Sequence, residues 1–349
     1  MDVQNPTDTN PTPQRPDSPS VTSGGKGLLA LALVGALAAG GLGVYAFMRS
    51  GGKPAPSPGS IALVGKADKA IQAARACVDA GEFTKAEGIL GEALSAMPDH
   101  QDLNICYGEL LVSRREFAKA YRAYQHAVAI GPRSPALDFT AGAVAAQAEQ
   151  PERAIEHYAA AQVADPKNPQ IPLYLAQMQL KQGQLDEAEK NLLLSARLQP
   201  EQAITWGTLA EIALRQNTPS IALQHVEKAR QLEPENLIWR SLHARALKRL
   251  NRPEDALQIL AGLGDAQKFD PAVLPILGEC LGMLSRNAEA AALYVSASDA
   301  DASNGLLAFD AAVWLERAGK KNEAKKYAQR AAMLNIANAD RLVERLGED

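Results

Sequence analysis

Histidine and cysteine are the side chains of this sequence that could bind a metal ion or act as nucleophiles. They are His100, His126, His157, His225, His243, Cys77, Cys106 and Cys280. Zinc sites use closely spaced ligand pairs, and the sequence has no CxxC or comparable histidine pair. We therefore predict helix-borne, solvated or partly buried histidines, and no metal ion or other cofactor. The cysteines are predicted to be buried apolar positions, although the sequence leaves a disulfide between Cys77 and Cys106 open.

The motifs that carry most catalytic chemistry are missing from the sequence. It has no glycine-rich nucleotide loop, phosphate loop, HExxH, GxSxG or kinase signature. The formal net charge of −4 gives no basic field for nucleic acid. We therefore predict a protein that is not an enzyme and does not bind nucleic acid. An enzyme subunit with a cryptic site is kept as a weaker alternative.

The first 66 residues change composition twice. Residues 1–26 contain five prolines and little to bury, which predicts a disordered tail. Residues 27–48 carry no charge, and a helix of this length spans about 33 Å, so we predict a transmembrane helix. Residues 49–66 are rich in glycine and proline and are predicted to be a linker.

The competing interpretation of the apolar segment is a cleaved signal peptide, with Ala36-Leu37-Ala38 as the cleavage site. We favour a retained anchor, because the leader is long and acidic and the apolar run continues past Ala38. Gly35, Ala39 and Gly43 form a small-residue stripe, which suggests either a homodimer of this helix or composition alone.

Two arguments predict opposite orientations of this anchor in the membrane. The basic residues that flank it slightly favour a cytoplasmic position for the rest of the chain. An N-in signal anchor is the expectation from membrane-anchored relatives. We therefore predict a single-pass cell-membrane protein with its C-terminal part outside the cytoplasm, in the periplasm or its equivalent, and keep the cytoplasmic location as the alternative.

From Ala67 onward the sequence repeats every 34 residues, and eight such blocks follow without a gap. Position 20 of every block is alanine: Ala86, Ala120, Ala154, Ala188, Ala222, Ala256, Ala290 and Ala324. Position 8 is always alanine or glycine. Position 15 holds Gly81, Gly183, Gly319, Asn217 and Asn251, residues that tolerate the left-handed conformation at a helix end.

Small residues at positions 8 and 20 let two helices approach closely, so each block is predicted to be an antiparallel helix pair. Ser134-Pro135 and Asn168-Pro169 are predicted to be an N-cap followed by the first helical residue. Strings such as GEFTKAEGILGEALSAMPDH (81–100) and GQLDEAEKNLLLSARLQP (183–200) resemble the second helix of the tetratricopeptide repeat (TPR) family. The resemblance to a membrane-anchored, bacterial-type TPR protein implies an all-α, right-handed α-solenoid of eight repeats over residues 67–338.

Two regions depart from a regular array. Block six has GLGDAQKFDP (262–271) in place of a clean helix end, so its second helix is predicted to stop early, with a bend or hinge there. Residues 339–349 place Leu342, Val343 and Leu346 on one side, which predicts a C-terminal capping helix.

The TPR resemblance implies a peptide-binding groove along the first helices, at positions 2, 5, 9, 12 and 13. The groove residues predicted in this way are Ile105, Glu109, Val112, Phe139, Leu173, Gln177, Leu180, Arg215, Arg245, Lys248 and Arg249. The groove is thus expected to be apolar in blocks two to four and basic in blocks five and six. The alternative is that the apolar members pack against neighbouring helices and the charges only solvate the face.

The predicted function is a membrane-anchored scaffold or adaptor that binds a protein segment in this groove. The lysine and asparagine of the family's clamp for chaperone C-termini are not matched, which argues against a receptor for chaperone tails. The second hypothesis is a regulatory or carrier subunit of an envelope biosynthesis or secretion enzyme complex.

Overall fold

The structure is a computed structural model that describes residues 58–347. The predicted tail, the transmembrane helix and the first half of the linker lie outside these residues. Over the described range the chain is all-α. None of the helices in this range combines the length and the apolar character needed to cross a bilayer.

The helices of the described range pair in the order of the repeats. Their bounds are α1 (Pro58–Asp79), α2 (Phe83–Ala96), α3 (Gln101–Ser113), α4 (Phe117–Ile130), α5 (Pro135–Gln147), α6 (Pro151–Ala164), α7 (Gln170–Lys181), α8 (Leu185–Leu198), α9 (Ala203–Arg215), α10 (Pro219–Leu232), α11 (Leu237–Arg249), α12 (Pro253–Ile259), α13 (Asp265–Lys268), α14 (Leu274–Met283), α15 (Asn287–Ala300), α16 (Gly305–Arg317), α17 (Lys321–Met333) and α18 (Ala339–Gly347). The first helices of the blocks are α1, α3, α5, α7, α9, α11, α14 and α16, and each packs on the second helix that follows it. The array is therefore the helical solenoid that the 34-residue period predicts.

The alanines at position 20 lie in the interior of every block. All eight have no exposed surface, and they lie in the cores that join the two helices of a block. The next turn of the second helix, at position 24, contacts position 8 of the first helix. Gly108 lies against the ring of Tyr124 in this way, and Gly142 lies against the ring of Tyr158.

The turn between the two helices of each block has the same backbone conformation. Position 15 has a positive φ in all eight blocks, at Gly81, Arg115, Glu149, Gly183, Asn217, Asn251, Ser285 and Gly319. The amide of the next residue reaches back to a carbonyl of the first helix, as Glu116 N does to Leu111 O at 2.8 Å. This turn ends the first helix even where the residue is neither glycine nor asparagine.

Both predicted caps form the expected hydrogen bonds. Ser134 Oγ accepts a hydrogen bond from Leu137 N at 3.1 Å, and Pro135 is the first residue of α5. The assigned α7 begins at Gln170, but Pro169 already has helical backbone angles, with φ −70° and ψ −19°. Asn168 Oδ1 accepts a hydrogen bond from Gln170 N at 3.0 Å, the bond of an N-cap side chain to the second helical residue.

The first helix, block six and the C-terminal helix each differ from a regular repeat. Helix α1 begins at Pro58, so residues 58–66, predicted to belong to the linker, are helical. In block six, α12 has only 7 residues, as the sequence predicts, and the single turn α13 follows it. Leu342 and Leu346 of α18 are buried in the same core as Trp314 and Tyr327 of the last block.

Candidate interaction surface

Position 9 of the first helices forms a stripe along the array. Arg75 Nη2 lies 3.0 Å from Glu109 Oε2, and Arg245 Nη1 lies 3.1 Å from Glu211 Oε2. Both pairs join residues 34 positions apart, so equivalent positions of successive first helices lie side by side. The two ion pairs therefore place position 9 of blocks one and two, and of blocks five and six, on the same side of adjacent first helices.

The apolar part of this face is half-buried in blocks two and three. Ile105, Val112 and Phe139 each keep part of their surface exposed. The Phe139 ring lies 5.4 Å, centroid to centroid, from both Tyr158 and Tyr174. These packed rings hold the exposed edge of Phe139 in a fixed position, which suits an anchoring site for an apolar side chain.

In block four the structure places the predicted groove residues in the core. Leu173, Gln177 and Leu180 are 5%, 2% and 7% exposed. The reason is that α7 is covered on every side, with each residue from Ile171 to Leu180 buried. For Leu173 and Leu180 the packing alternative therefore describes this structure, and their role in peptide binding stays a prediction.

The predicted basic face of blocks five and six also contains acidic partners, which were not part of the prediction. Glu211 accepts from Arg215 Nε at 3.2 Å and also pairs with Arg245. Lys248 pairs with Glu279. Two arginines share the one carboxylate of Glu211, so positive charge remains in excess at this point.

The two remaining polar residues of the predicted groove are also held in place. Arg249 Nη1 donates to Leu214 O at 3.0 Å, a bond from one first helix to the next. Glu109 pairs with Arg75, and burial raises the pKa of its carboxyl while Arg75 opposes that shift. Both contacts join the first helix of one block to the first helix of the next.

A cleft of about 630 Å³ continues the same face into blocks seven and eight, where the sequence analysis named no residue. Its lining is Lys248, Glu279, Gly282, Met283, Asn287, Trp314 and Arg317. Met283 is 44% exposed, and the Arg317 guanidinium lies 4.7 Å from the centroid of a Trp314 ring. Gly282 and Met283 occupy positions 12 and 13, so carrying the groove positions into block seven would have found them.

Among the described residues, no group of three His, Cys, Asp or Glu side chains comes together in a way that could hold a metal ion. The three cysteines are buried and unbridged, as the apolar interpretation predicts. Burial raises the pKa of the Cys106 and Cys280 thiols to about 11, which disfavours the reactive thiolate.

Comparison with known proteins supports the repeat assignment. Two family models, both described as tetratricopeptide repeat, match residues 71–135 and residues 145–212 and 213–280, which together exceed half of the chain. No curated protein gives a significant match.

Several solved structures resemble the chain at low sequence identity. YrrB, described as a TPR protein with an unusual peptide-binding site, is 19% identical, with 50% of this chain and 90% of that chain covered and a TM-score of 0.47. A TPR protein from Parabacteroides merdae is 15% identical, with 81% and 99% covered and a TM-score of 0.47. PilF from Pseudomonas aeruginosa is 19% identical, with 58% and 93% covered and a TM-score of 0.46.

The family models, the eight aligned alanines and the paired helices agree. The chain belongs to the tetratricopeptide repeat family.

Proposed function

We propose that this protein is a membrane-anchored scaffold that holds a segment of a partner protein against the face of its first helices. TPR proteins generally mediate protein–protein interaction. The observation that carries the proposal is the side-by-side placement of position 9 in blocks one and two and in blocks five and six, with half-buried apolar side chains beside it in blocks two and three. A stripe that crosses successive repeats suits an extended or helical ligand more than a compact one.

The ligand segment would present apolar side chains followed by acidic ones. Phe139, Ile105 and Val112 would contact the apolar part. Arg215 and Arg245, which share Glu211, would attract the acidic part. The apolar contacts should supply most of the affinity, because buried aromatic and aliphatic anchors dominate interfaces. The charges should act mainly on the association rate and the orientation.

Anchoring through residues 27–48, with the solenoid outside the cytoplasm, is part of this proposal and is supported by the uncharged run in the sequence. Cysteine labelling of intact cells at Ser57→Cys tests it, in a background where Cys77, Cys106 and Cys280 are replaced by Ala. Labelling only after lysis would place the solenoid in the cytoplasm.

The alternative function is a regulatory or carrier subunit of an envelope biosynthesis or secretion enzyme complex. The small-residue stripe of the anchor also leaves a homodimer open. Co-purification of the full chain from detergent separates these possibilities, because a single biosynthetic enzyme and a large structural complex differ in composition.

Surface plasmon resonance with the partner found in that way tests the binding face. Phe139→Ala should raise the dissociation rate. Replacement of Arg245, Lys248 and Arg249 together by Ser should lower the association rate and flatten its dependence on salt. Lys190→Glu, on an exposed position of a second helix, is the control. If Lys190→Glu abolished binding while Phe139→Ala bound like the parent, the partner would dock on the outer surface instead.

A further inference from the structure

The cleft of about 630 Å³ that borders blocks six to eight has an aromatic floor. The Trp314 ring is stacked on the Tyr294 ring, with the two centroids 6.1 Å apart and the planes inclined by 29°. Trp314 reaches the cleft because position 12 of block seven is glycine, and a methyl group on Gly282 would lie 2.6 Å from Cη2 of Trp314. The ring is only 7% exposed, so packing holds it in place at the base of the cleft.

One wall of the cleft carries an exposed guanidinium, that of Arg317 at the end of α16. Its central carbon lies 4.7 Å from the centroid of a Trp314 ring, so the flat face of the guanidinium is turned to the indole. This contact leaves the N–H groups at the edge of the guanidinium free to bind another group. Among the described residues, the hydrogen bond of Arg317 outside its own helix is made by its backbone carbonyl, which accepts from Asn287 Nδ2 at 3.4 Å.

The carboxylates nearest to Arg317 in the cleft and in the sequence do not pair with it. Glu279, the carboxylate of the cleft lining, pairs with Lys248. Glu316 is held by an arginine of α18. Asp310 precedes Arg317 by seven residues, which is about 10 Å along the helix. The lining thus has two cations and one carboxylate, and the exposed charge of Arg317 is the one without a counter-charge in contact with it.

The other wall of the cleft supplies an apolar contact. Met283, at position 13 of block seven, is 44% exposed and borders the same cleft as Trp314 and Arg317. A methionine side chain is flexible and polarizable, so it adapts to apolar side chains of different shape. The cleft therefore offers one fixed positive charge and one adaptable apolar surface.

We propose that this cleft binds an acidic side chain of a partner segment together with an apolar side chain next to it in the sequence. The carboxylate takes the free N–H edge of Arg317 through paired hydrogen bonds, and its apolar neighbour packs on Met283 and Trp314. A single free cation matches the single charge of a carboxylate, whereas a phosphate group carries nearly two charges.

This inference rests on the proposed function, because the cleft continues the face of the first helices. It gives the acidic part of the ligand a defined position in blocks seven and eight. A segment that runs along several blocks passes through the cleft and does not end there. The carboxylate that we expect is therefore a side chain and not a chain terminus.

Fluorine nuclear magnetic resonance of the full chain in detergent, labelled with fluorotryptophan, tests the proposal. The chain has three tryptophans, and Trp314→Phe assigns the resonance of Trp314. Acetyl-Leu-Glu-amide, titrated at constant ionic strength, should shift this resonance in a saturable way and leave those of Trp206 and Trp239 unchanged. Acetyl-Leu-Gln-amide lacks the charge and acetyl-Gly-Glu-amide lacks the apolar side chain, so each should bind about tenfold more weakly.

Two variants separate the two contacts. Arg317→Gln should weaken the binding of acetyl-Leu-Glu-amide about tenfold and leave the weaker binding of acetyl-Leu-Gln-amide unchanged. Met283→Ser should weaken the binding of acetyl-Leu-Glu-amide and leave that of acetyl-Gly-Glu-amide unchanged. Arg153→Gln is the matched control, because it removes an exposed arginine of block three, and it should bind like the parent. Unchanged resonances of Trp206 and Trp239 show that each variant is folded.

The proposal is overturned if acetyl-Leu-Glu-amide does not shift the Trp314 resonance, or if Arg317→Gln binds this peptide like the parent. It is also overturned if inorganic phosphate, or acetyl-Gly-Leu with its terminal carboxylate, binds more tightly than acetyl-Leu-Glu-amide. These peptides are too short to reach from the cleft to Phe139. A failure here therefore leaves the Phe139→Ala test of the proposed groove intact, and a failure of that test does not change what the peptides measure.

Discussion

Gly108 and Tyr124 are packed so closely that a methyl group on Gly108 would lie 2.7 Å from Cε2 of Tyr124. The same pairing joins Gly142 to Tyr158 and Gly278 to Tyr294. In the other five blocks, position 8 is alanine and position 24 is smaller than tyrosine: Leu90, Leu192, Val226, Leu260 and Ala328. The side chains at positions 8 and 24 of a block therefore occupy one shared space. Tyrosine at position 24 goes with glycine at position 8, and a smaller residue at position 24 goes with alanine.

Gly108→Ala should destabilise the protein by roughly 1–3 kcal/mol, because the added methyl group has to displace a buried ring. Gly88→Ala is the control, since nothing lies within 4 Å of a methyl group there and Gly88 also lies in a helix. That change should stabilise the protein by roughly 0.5–1 kcal/mol through helix propensity. Urea unfolding followed by circular dichroism measures both.

Gly108→Ala combined with Tyr124→Leu recreates the pair found in blocks one, four and six. The double variant should be more stable than the sum of the two single changes predicts, by about 0.5–3 kcal/mol. Strict additivity in this double-mutant cycle would contradict the shared volume.

Glu149→Gly should stabilise the protein, although it removes a side chain from a folded region. Glu149 has a φ of 58° and is exposed, so its side chain makes little contact and its backbone is strained. Glycine relieves roughly 1 kcal/mol of that strain, less the entropy it adds to the unfolded chain. Gly183→Ala, at the same position of the next block with a φ of 73°, should have the opposite sign. A loss of stability on Glu149→Gly in thermal melts would show that the Glu149 side chain has a structural role.

Asp138→Ala should cost roughly 2–3 kcal/mol, because this buried carboxylate joins two partners. Asp138 accepts from Arg133 Nε at 3.1 Å and lies 3.2 Å from His157 Nδ1. Glu156→Ala, which breaks an exposed ion pair with Arg153, should change the unfolding curve very little. Equal effects of the two changes would mean that the contacts of Asp138 contribute no more to the free energy of unfolding than an exposed ion pair does.

Burial and the nearby Arg230 and Arg252 lower the pKa of His243, which makes stability depend on pH. Its folded value of about 4 lies below the 6.5 of an ordinary histidine, so between these values only the unfolded chain binds the proton. Stability should therefore be complete above pH 6.5 and fall as the pH falls toward 4. The groups that line a second cleft, around His243, are Glu227, Arg230, Glu235, Arg240, Arg252 and Asp255.

The measurement is the free energy of unfolding between pH 6.5 and 5, above the range in which most carboxyl groups titrate. His243→Gln should reduce the slope by at most about 1.4 kcal/mol per pH unit. If the variant showed the same dependence of unfolding free energy on pH as the parent, His243 would have the same pKa in the folded and the unfolded chain.

The 34-residue period predicted the helical array because the residues that define it make their contacts within a single block. The alanine at position 20 and the glycine or asparagine at position 15 act within one block. The positive φ at Arg115 and Glu149 was not predictable from residue type, since neither favours that conformation. There the packing of the flanking helices overrides the preference of the single residue.

The interaction surface was less predictable because it depends on how successive blocks stack. Arg245 belongs to the predicted basic face, but its partner Glu211 comes from the preceding first helix and lies 34 residues away. Leu173 and Leu180 have the spacing of an exposed face, but the neighbouring helices cover them. The cleft around His243 lies beside the short α12, and the sequence showed only that this helix ends early.

The ion pairs at position 9 also bear on the order of the repeats along the chain. Arg75 meets Glu109 and Glu211 meets Arg245, so each contact needs a particular neighbour. A chain with block two joined directly to block five would set Glu109 beside Glu211, two carboxylates in partly buried positions. The blocks are alike in fold but are not interchangeable at these two junctions, because a rearrangement that sets two like charges together at position 9 would be opposed by their repulsion.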